Sequence, residues 1–269
     1  MRPQVEEEEI SQPAPVLSME ISVDYPGTGS VLRGVEIEVY PGEYLGLVGE
    51  SGSGKSTLTW AILRLLDHTG ARVSGRIVLL GNDLMRCDER RLRDIRGRQM
   101  SLIPQSPLSA LNPALRLETQ LREAWRAHSQ EPWSAQEKLI ADLFRAAGLP
   151  TDERFLRSFP REVSVGQAQR VLIVMALLHA PPLLIADEPT SALDVITQKD
   201  VLGLLTRLGK ERRMAMLFVS HDLPTVAALC PRIAVLYNGK IVESGPTMGT
   251  LRAPKHPYTK QLVEALPKW

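Results

Sequence analysis

The sequence predicts an α/β fold: a mostly parallel sheet, an antiparallel β portion near the N-terminus, and a helical block inserted between strands. Three observations predict it. Apolar runs at Glu43–Val48, Leu183–Glu188 and Ala215–Val219 alternate with helical segments, and uninterrupted runs of that kind suit strands covered on both faces of a parallel sheet. The shorter runs Leu17–Val23 and Val35–Val39 alternate apolar with polar residues, the pattern of strands with one wet face. Residues 114–160 repeat apolar positions at helical spacing almost throughout.

In chain order, residues 1–15 are acidic and proline-containing and read as a mobile tail. Pro26-Gly27 and Pro41-Gly42 mark turns around the alternating strands. Tyr25 closes the first of these strands. From the residues alone it is either a ring that stacks on a base or ordinary strand-end packing. The run Glu43–Val48 leads into Gly49-Glu50-Ser51-Gly52-Ser53-Gly54-Lys55-Ser56-Thr57, which fits the phosphate-binding pattern G-x-x-x-x-G-K-S/T. Gly49, Gly52 and Gly54 permit backbone angles and close approaches that side chains would block, so the loop N–H groups can turn towards phosphate oxygens. A helix opening near Lys55, with Leu58, Ala61, Ile62 and Leu65 at helical spacing, adds the positive end of its dipole. Lys55 supplies charge to the β- and γ-phosphates, and the Ser56 hydroxyl is placed to ligate Mg²⁺.

Val73–Gly81 reads as a further strand, Asp88–Arg98 as a basic, solvated helix, and Met100–Pro104 as a strand ending at Gln105. Residues 106–113 read as a loop. In the helical block Leu117, Leu121 and Trp125 share a face, as do Leu139, Leu143 and Ala147, with Gly148 as a stop. Such a block, about 106–170, suggests a subdomain able to move against the sheet. A helix runs from near Gly166 to Leu178, another spans Val195–Lys210, and a hairpin turns at Asn238-Gly239 between 233–237 and 240–242. A short final helix falls within 253–269.

In open α/β sheets ligands lie beyond the carboxyl ends of the strands. One buried run ends in Asp187-Glu188 and another in Ser220-His221. Asp187 would hold Mg²⁺ and Glu188 would polarise an attacking water; a helix-capping pair is the plainer alternative. His221 is either a γ-phosphate contact or a structural histidine.

Composition sets bounds on function. The 269 residues carry a net charge of +1, with 43% hydrophobic and 23% charged residues. That is a globular composition with no basic excess to hold nucleic acid. Cys87 and Cys230 are far apart and read as ordinary thiols of a reducing compartment. Glu6–Glu9 fall where a secretory leader needs an apolar run, so none is expected. The longest apolar stretch, Val171–Ala186, contains His179 and Pro181-Pro182 and is too short to span a bilayer. Any membrane role is therefore expected to be peripheral.

Taken in order, these motifs resemble those of the ATP-binding subunits of ABC transporters, from about Val16 to Leu266. The resemblance implies an ABC ATPase domain over 16–252 with a C-terminal tail at 253–269. Tyr25 stands where the family has its adenine-stacking aromatic. Gln105 stands at the Q-loop glutamine, which contacts Mg²⁺ and water and senses the membrane partner. Val163-Ser164-Val165-Gly166-Gln167 is similar to the LSGGQ signature, which implies that Ser164, Gly166 and Gln167 serve the nucleotide of an opposite subunit. Ser191-Ala192-Leu193-Asp194 resembles the D-loop, with Asp194 at its end, and His221 resembles the switch histidine.

The signature departs from the pattern at Val165, where a stiff β-branched residue replaces glycine. The expectation is a heterodimer in which this signature completes a weakened ATP site. The segments 104–113 and 186–195 and His256-Pro257-Tyr258-Thr259-Lys260-Gln261-Leu262 are similar to the dipeptide, oligopeptide and nickel importer branch. The tail to Trp269 carries no cysteine, so no iron–sulfur site is expected there.

The resemblance therefore implies a cytoplasmic ATPase on the inner face of the membrane, using ATP and Mg²⁺. Its implied partners are a second ATPase subunit, two membrane permeases and, indirectly, a solute-binding protein. The rival is an ABC ATPase accessory to a soluble complex of the carbon–phosphorus lyase type. Relatives that act on DNA or ribosomes carry long coiled-coil insertions or tandem domains, and neither is present.

Overall fold

The computed structural model describes residues 13–27 and 29–266. Residues 1–12 of the tail expected over 1–15 lie outside them. The strands are β1 (Leu17–Tyr25), β2 (Gly29–Val39), β3 (Tyr44–Val48), β4 (Arg72–Leu79), β5 (Asn82–Asp83), β6 (Met100–Ile103), β7 (Leu183–Asp187), β8 (Ala215–Ser220), β9 (Arg232–Tyr237) and β10 (Lys240–Pro246). The helices are α1 (Lys55–Ile62), α2 (Glu89–Ile95), α3 (Pro107–Ala110), α4 (Leu117–Arg126), α5 (Glu137–Ala146), α6 (Glu153–Leu156), α7 (Val165–Leu177), α8 (Val195–Glu211), α9 (Leu223–Leu229), α10 (Thr247–Arg252) and α11 (Pro257–Glu264).

Among the described residues the strands form an antiparallel sheet ordered β2-β1-β4-β5 and a larger sheet ordered β10-β9-β3-β8-β7-β6. In the larger sheet β9, β3, β8, β7 and β6 pair in parallel, and β10 closes the edge antiparallel to β9. The apolar runs are explained by what covers them. Met216 and Phe218 of β8 face one core with α4, α5, α7 and α8, while Ala215, Leu217 and Val219 face a second core with β1, β2 and α1. Strands β7 and β3 split in the same way, Leu184 and Ala186 against Leu183 and Ile185, Tyr44 and Val48 against Leu45 and Leu47. With both faces buried, no position along these strands can be polar without losing its hydration.

The structure corrects several local expectations. The block 114–160 is broken rather than continuous: α4 ends before Pro132 and Pro150 stands between α5 and α6, while Gly148 (φ +64°) follows the end of α5 as the stop expected there. Proline lacks the N–H that a helix interior needs. The buried face of α5 is Ile140, Leu143 and Phe144, continued by Ala147, with Leu139 only partly covered. Helix α1 stops at Ile62 because Arg64 turns left-handed (φ +54°), which leaves Leu65 exposed instead of on the helix face. Part of the stretch 106–113 is helical, as α3, and α9, α10 and β5 had no sequence expectation.

Candidate nucleotide site

The carboxyl ends of β3, β6, β7 and β8 lie along one edge of the parallel sheet, because parallel pairing points every strand the same way. A cavity of about 620 Å³ opens there. It is lined by the loop residues Glu50, Ser51, Gly52, Gly54, Lys55, Ser56 and Thr57, and by Gln105, Glu188 and His221. Three segments far apart in sequence thus meet the loop at one place.

The loop is shaped by tight contacts. A Cβ on Gly49 would lie 2.2 Å from the Leu236 carbonyl oxygen of β9 and 2.8 Å from Ser53 Oγ, so only glycine fits. Gly52, by contrast, faces open space and needs its freedom for φ +82°. Lys55 is 7% exposed. Its ammonium donates to the carbonyl oxygens of Gly49 (2.7 Å) and Glu50 (2.8 Å). Burial pulls its pKa below the ordinary lysine value, while the carboxylates of Glu188, Asp187 and Glu50 act in the opposite direction.

Glu188 stands at the centre of the polar cluster. Its Oε2 accepts from Gln105 Nε2 at 2.9 Å, and its Oε1 lies 2.9 Å from His221 Nδ1. The backbone there is left-handed at φ +46°, unusual for a non-glycine residue. It is held by Glu188 N–H donating to Val219 O (2.8 Å) and by Ser191, whose N–H and hydroxyl both donate to the Glu188 carbonyl. Strain of this kind persists only where the surroundings over-determine it, and it collects at functional sites. The helix-capping alternative for Asp187-Glu188 has no support in these contacts. The capping carboxylate is Asp194, whose Oδ1 accepts from the N–H groups of Ile196 and Thr197 at the start of α8.

Asp187 is not part of the cavity lining; it feels the charges of Glu188 and Lys55. Burial first, and the neighbouring Glu188 charge second, raise its carboxyl to about 6 against the pull of Lys55. The folded chain thus holds this proton more tightly than the unfolded chain. Stability contributed by the protonated group is present at low pH and lost as pH rises to about 6. Asp187→Asn is therefore expected to raise the melting temperature of the nucleotide-free protein at pH 7.5, by the equivalent of about 1–2 kcal/mol after allowance for partial exposure. The gain should shrink to nothing near pH 4. Melting curves of both proteins across pH test this, and a pH-independent difference would mean that packing, not charge, is responsible.

Other sequence-predicted residues lie elsewhere. Tyr25 packs partly buried against the core shared by β1 and α1 and does not line the cavity, whereas Val31 of β2 does. Ser164 caps α7: its Oγ accepts from Gln167 N–H (3.2 Å), and Gln167 Oε1 accepts from Ser164 N–H (2.9 Å). Val165 is the first residue of α7, with a helical backbone and a side chain 37% exposed. The expected backbone restriction is absent, since the helical region suits valine; what Val165 adds is bulk at the helix mouth. Gly166 is held by contact, because a Cβ there would lie 2.6 Å from Thr197 Cγ2. Ser164, Gly166, Gln167 and Asp194 thus form a second cluster at the neighbouring starts of α7 and α8, outside the phosphate cavity. Sequence reasoning missed Val31, which carries no local signal, and Tyr258, discussed below.

The profile of the ABC transporter family matches residues 32–191. The chain belongs to the ABC transporter family. It is an ATP-binding, ATP-hydrolysing cassette. The cassette is 39% identical over 91% of its length to the dipeptide transport ATP-binding protein DppD of Bacillus subtilis (strain 168), covering 73% of that protein. It is 38% identical over 93% of its length to DppD of Escherichia coli (strain K12), covering 77% of that protein. It is 39% identical over 90% of its length to the oligopeptide transport ATP-binding protein OppD of Bacillus subtilis (strain 168), covering 68%. Among solved structures, an ATP-binding subunit of an ABC transporter superposes with TM-score 0.72 at 31% identity, over 88% of the cassette and 92% of that chain. A dimeric ATP-binding cassette in a post-hydrolysis state with ADP and Pi gives TM-score 0.75 at 26% identity, over 86% and 98%.

Proposed function

We propose that this cassette powers a membrane importer of short peptides, and that its P-loop cavity holds the ATP it hydrolyses. The observation that carries the reading is Glu188, held between Gln105 and His221 beside the phosphate-binding loop. That is a base with its orienting groups in place. The peptide cargo is supported by the DppD and OppD relatives.

The chemistry follows from the residues. Lys55 now rests on two loop carbonyls; phosphate oxygens offer it stronger, charged acceptors. The loop N–H groups and the start of α1 add fixed positive dipoles. Asp187 fits a cation, because a positive charge beside this buried carboxyl would relieve the burial that raises its pKa. Asp187 and Ser56, with Gln105, would hold Mg²⁺, which neutralises phosphate charge when bound. Glu188 takes up the proton of the attacking water, Gln105 and His221 orient it, and His221 is exposed enough to reach the γ-phosphate. The Ser164 hydroxyl spends its oxygen on capping α7 but keeps a hydrogen to donate. With Gly166, Gln167 and Asp194 it would face the nucleotide of a second cassette, and Tyr25 would meet adenine at the rim.

Residues 16–252 would be the ATPase domain, with about 106–170 as its helical subdomain. The tail would be 253–269. Among the described residues no helix is long and apolar enough to cross a membrane, so the cassette would dock peripherally on two permeases at the cytoplasmic face, fed by a solute-binding protein. Pull-down of the tagged chain from detergent-solubilised cells tests this. Two multi-span proteins and a second ATPase should co-purify; recovery of soluble enzymes alone would overturn the import reading. In the assembled complex Val165→Gly should raise turnover several-fold, because it clears the mouth of α7. Unchanged turnover would remove the weakened second site.

A further inference from the structure

We infer that Tyr258 is a positioning residue for the phosphate-binding loop, and that the C-terminal segment carrying it is thermodynamically coupled to nucleotide binding. The inference rests on the P-loop cavity being the ATP site.

The Glu50 backbone N–H donates to Tyr258 Oη at 2.7 Å, across 208 residues of sequence. The same residue's carbonyl accepts from Lys55 Nζ. Glu50 is thus held at both ends, by the tail on one side and by the catalytic lysine on the other. The Tyr258 side chain is 3% exposed and stacks on Tyr237, with ring centroids 4.0 Å apart and 23° between planes. Tyr237 ends β9, next to the Leu236 carbonyl that crowds Gly49. The tail is itself tied down. The Glu243 carboxylate of β10 accepts from the N–H groups of Lys255 (2.9 Å) and His256 (3.0 Å), and His256 Nδ1 accepts from Tyr258 N–H (3.2 Å). The hairpin, the tail and the first turn of the loop therefore form one connected set of contacts.

Loss of the Tyr258 hydroxyl would leave the Glu50 N–H without its acceptor. A partly buried donor that loses its partner is left unsatisfied at a cost, and the cheap relief is rotation of the Gly49-Glu50 peptide. That rotation carries the Gly49 carbonyl, a Lys55 acceptor, out of place. Tyr258 therefore acts on nucleotide through the loop and Lys55, not by touching it. Coupling of this kind is reciprocal: nucleotide that fixes the loop must fix the tail by the same factor.

The test uses the full chain with Tyr258→Phe, which keeps the ring stack and removes only the hydroxyl. ATP·Mg affinity should fall about five- to tenfold, the net worth of one hydrogen bond. In the wild type, saturating ATP·Mg should slow amide exchange across 258–264, and Tyr258→Phe should abolish most of that protection. If the variant binds ATP as tightly as wild type and only melts earlier, Tyr258 is a packing residue and the inference falls. Exchange in 258–264 that ignores ATP in the wild type would also overturn it. Lys55→Ala, run alongside, separates the two readings. If Lys55→Ala keeps wild-type ATP affinity, the nucleotide assignment of the cavity fails, whatever Tyr258 does.

Discussion

Replacement of Glu188 by Gln should lower ATP turnover of the assembled complex by about 10²–10⁴-fold, the usual worth of a general base. ATP binding should be almost untouched. The amide keeps an oxygen that can accept from Gln105 Nε2 and gains an NH₂ that can donate to His221 Nδ1 in its other tautomer. The left-handed backbone, the bond to Val219 O and the Ser191 contacts do not involve the side chain, so the strained turn should survive. What is lost is the oxygen basic enough to take a proton from water. Steady-state hydrolysis and equilibrium ATP binding, measured on the same preparation, separate the two effects. Turnover within tenfold of wild type would remove Glu188 as the base.

Gly49→Ala should be the most damaging single-methyl change in the loop. The new Cβ would meet a backbone carbonyl at 2.2 Å, and Leu236, one residue before the end of β9, is held in register with Ile241 of β10, so it cannot retreat without disturbing that pairing. Overpacking of this kind costs about 1–3 kcal/mol or more, which in a chain of this size lowers Tm by roughly 2–6 °C. The loop must also shift, and misplacement by about 1 Å is enough to cost about 10²-fold in turnover. Gly52→Ala is the control. It meets nothing within 4 Å and bears only the conformational penalty of φ +82°, about 1–2 kcal/mol. If the two variants melt and turn over alike, contact with Leu236 is not what selects glycine at position 49.

The contrast between these two glycines marks the limit of legibility in the sequence. The loop pattern specifies glycine at 49 and leaves 52 open, and both glycines were assigned one shared reason, whereas one is fixed by a tertiary contact and the other by its own φ. Ser164 and Gln167 were legible as a motif, and their capping box is local and readable from spacing. Val165 was read as a backbone problem; in a helix it is not one, and only its bulk remains. The helical block was read too smoothly because apolar spacing outweighed Pro132 and Pro150, through which a helix cannot run; Gly148, read as a stop, is one, its left-handed φ following the end of α5. Tyr258 sat in plain view within His256-Pro257-Tyr258-Thr259 and served only as a marker of resemblance, since nothing near it in sequence names its partner.

By itself the sequence determined the strand, loop and helix around Lys55, the buried strands ending at Asp187-Glu188 and Ser220-His221, and the chemistry each could offer. Those are properties of short segments, where periodicity and the geometry of glycine decide. Only the tertiary structure decided which ends stand side by side. The order β3-β8-β7-β6 brings the loop, His221, Glu188 and Gln105 to one edge, although Gln105 and Glu188 are 83 residues apart and Glu188 and His221 are 33 apart. It also brought Tyr258 to Glu50 and left Tyr25 outside the cavity. The physical reason is that strand order and tail docking come from pairing between distant segments. Every buried apolar strand carries much the same local pattern, so the pattern cannot say which strand lies next to which.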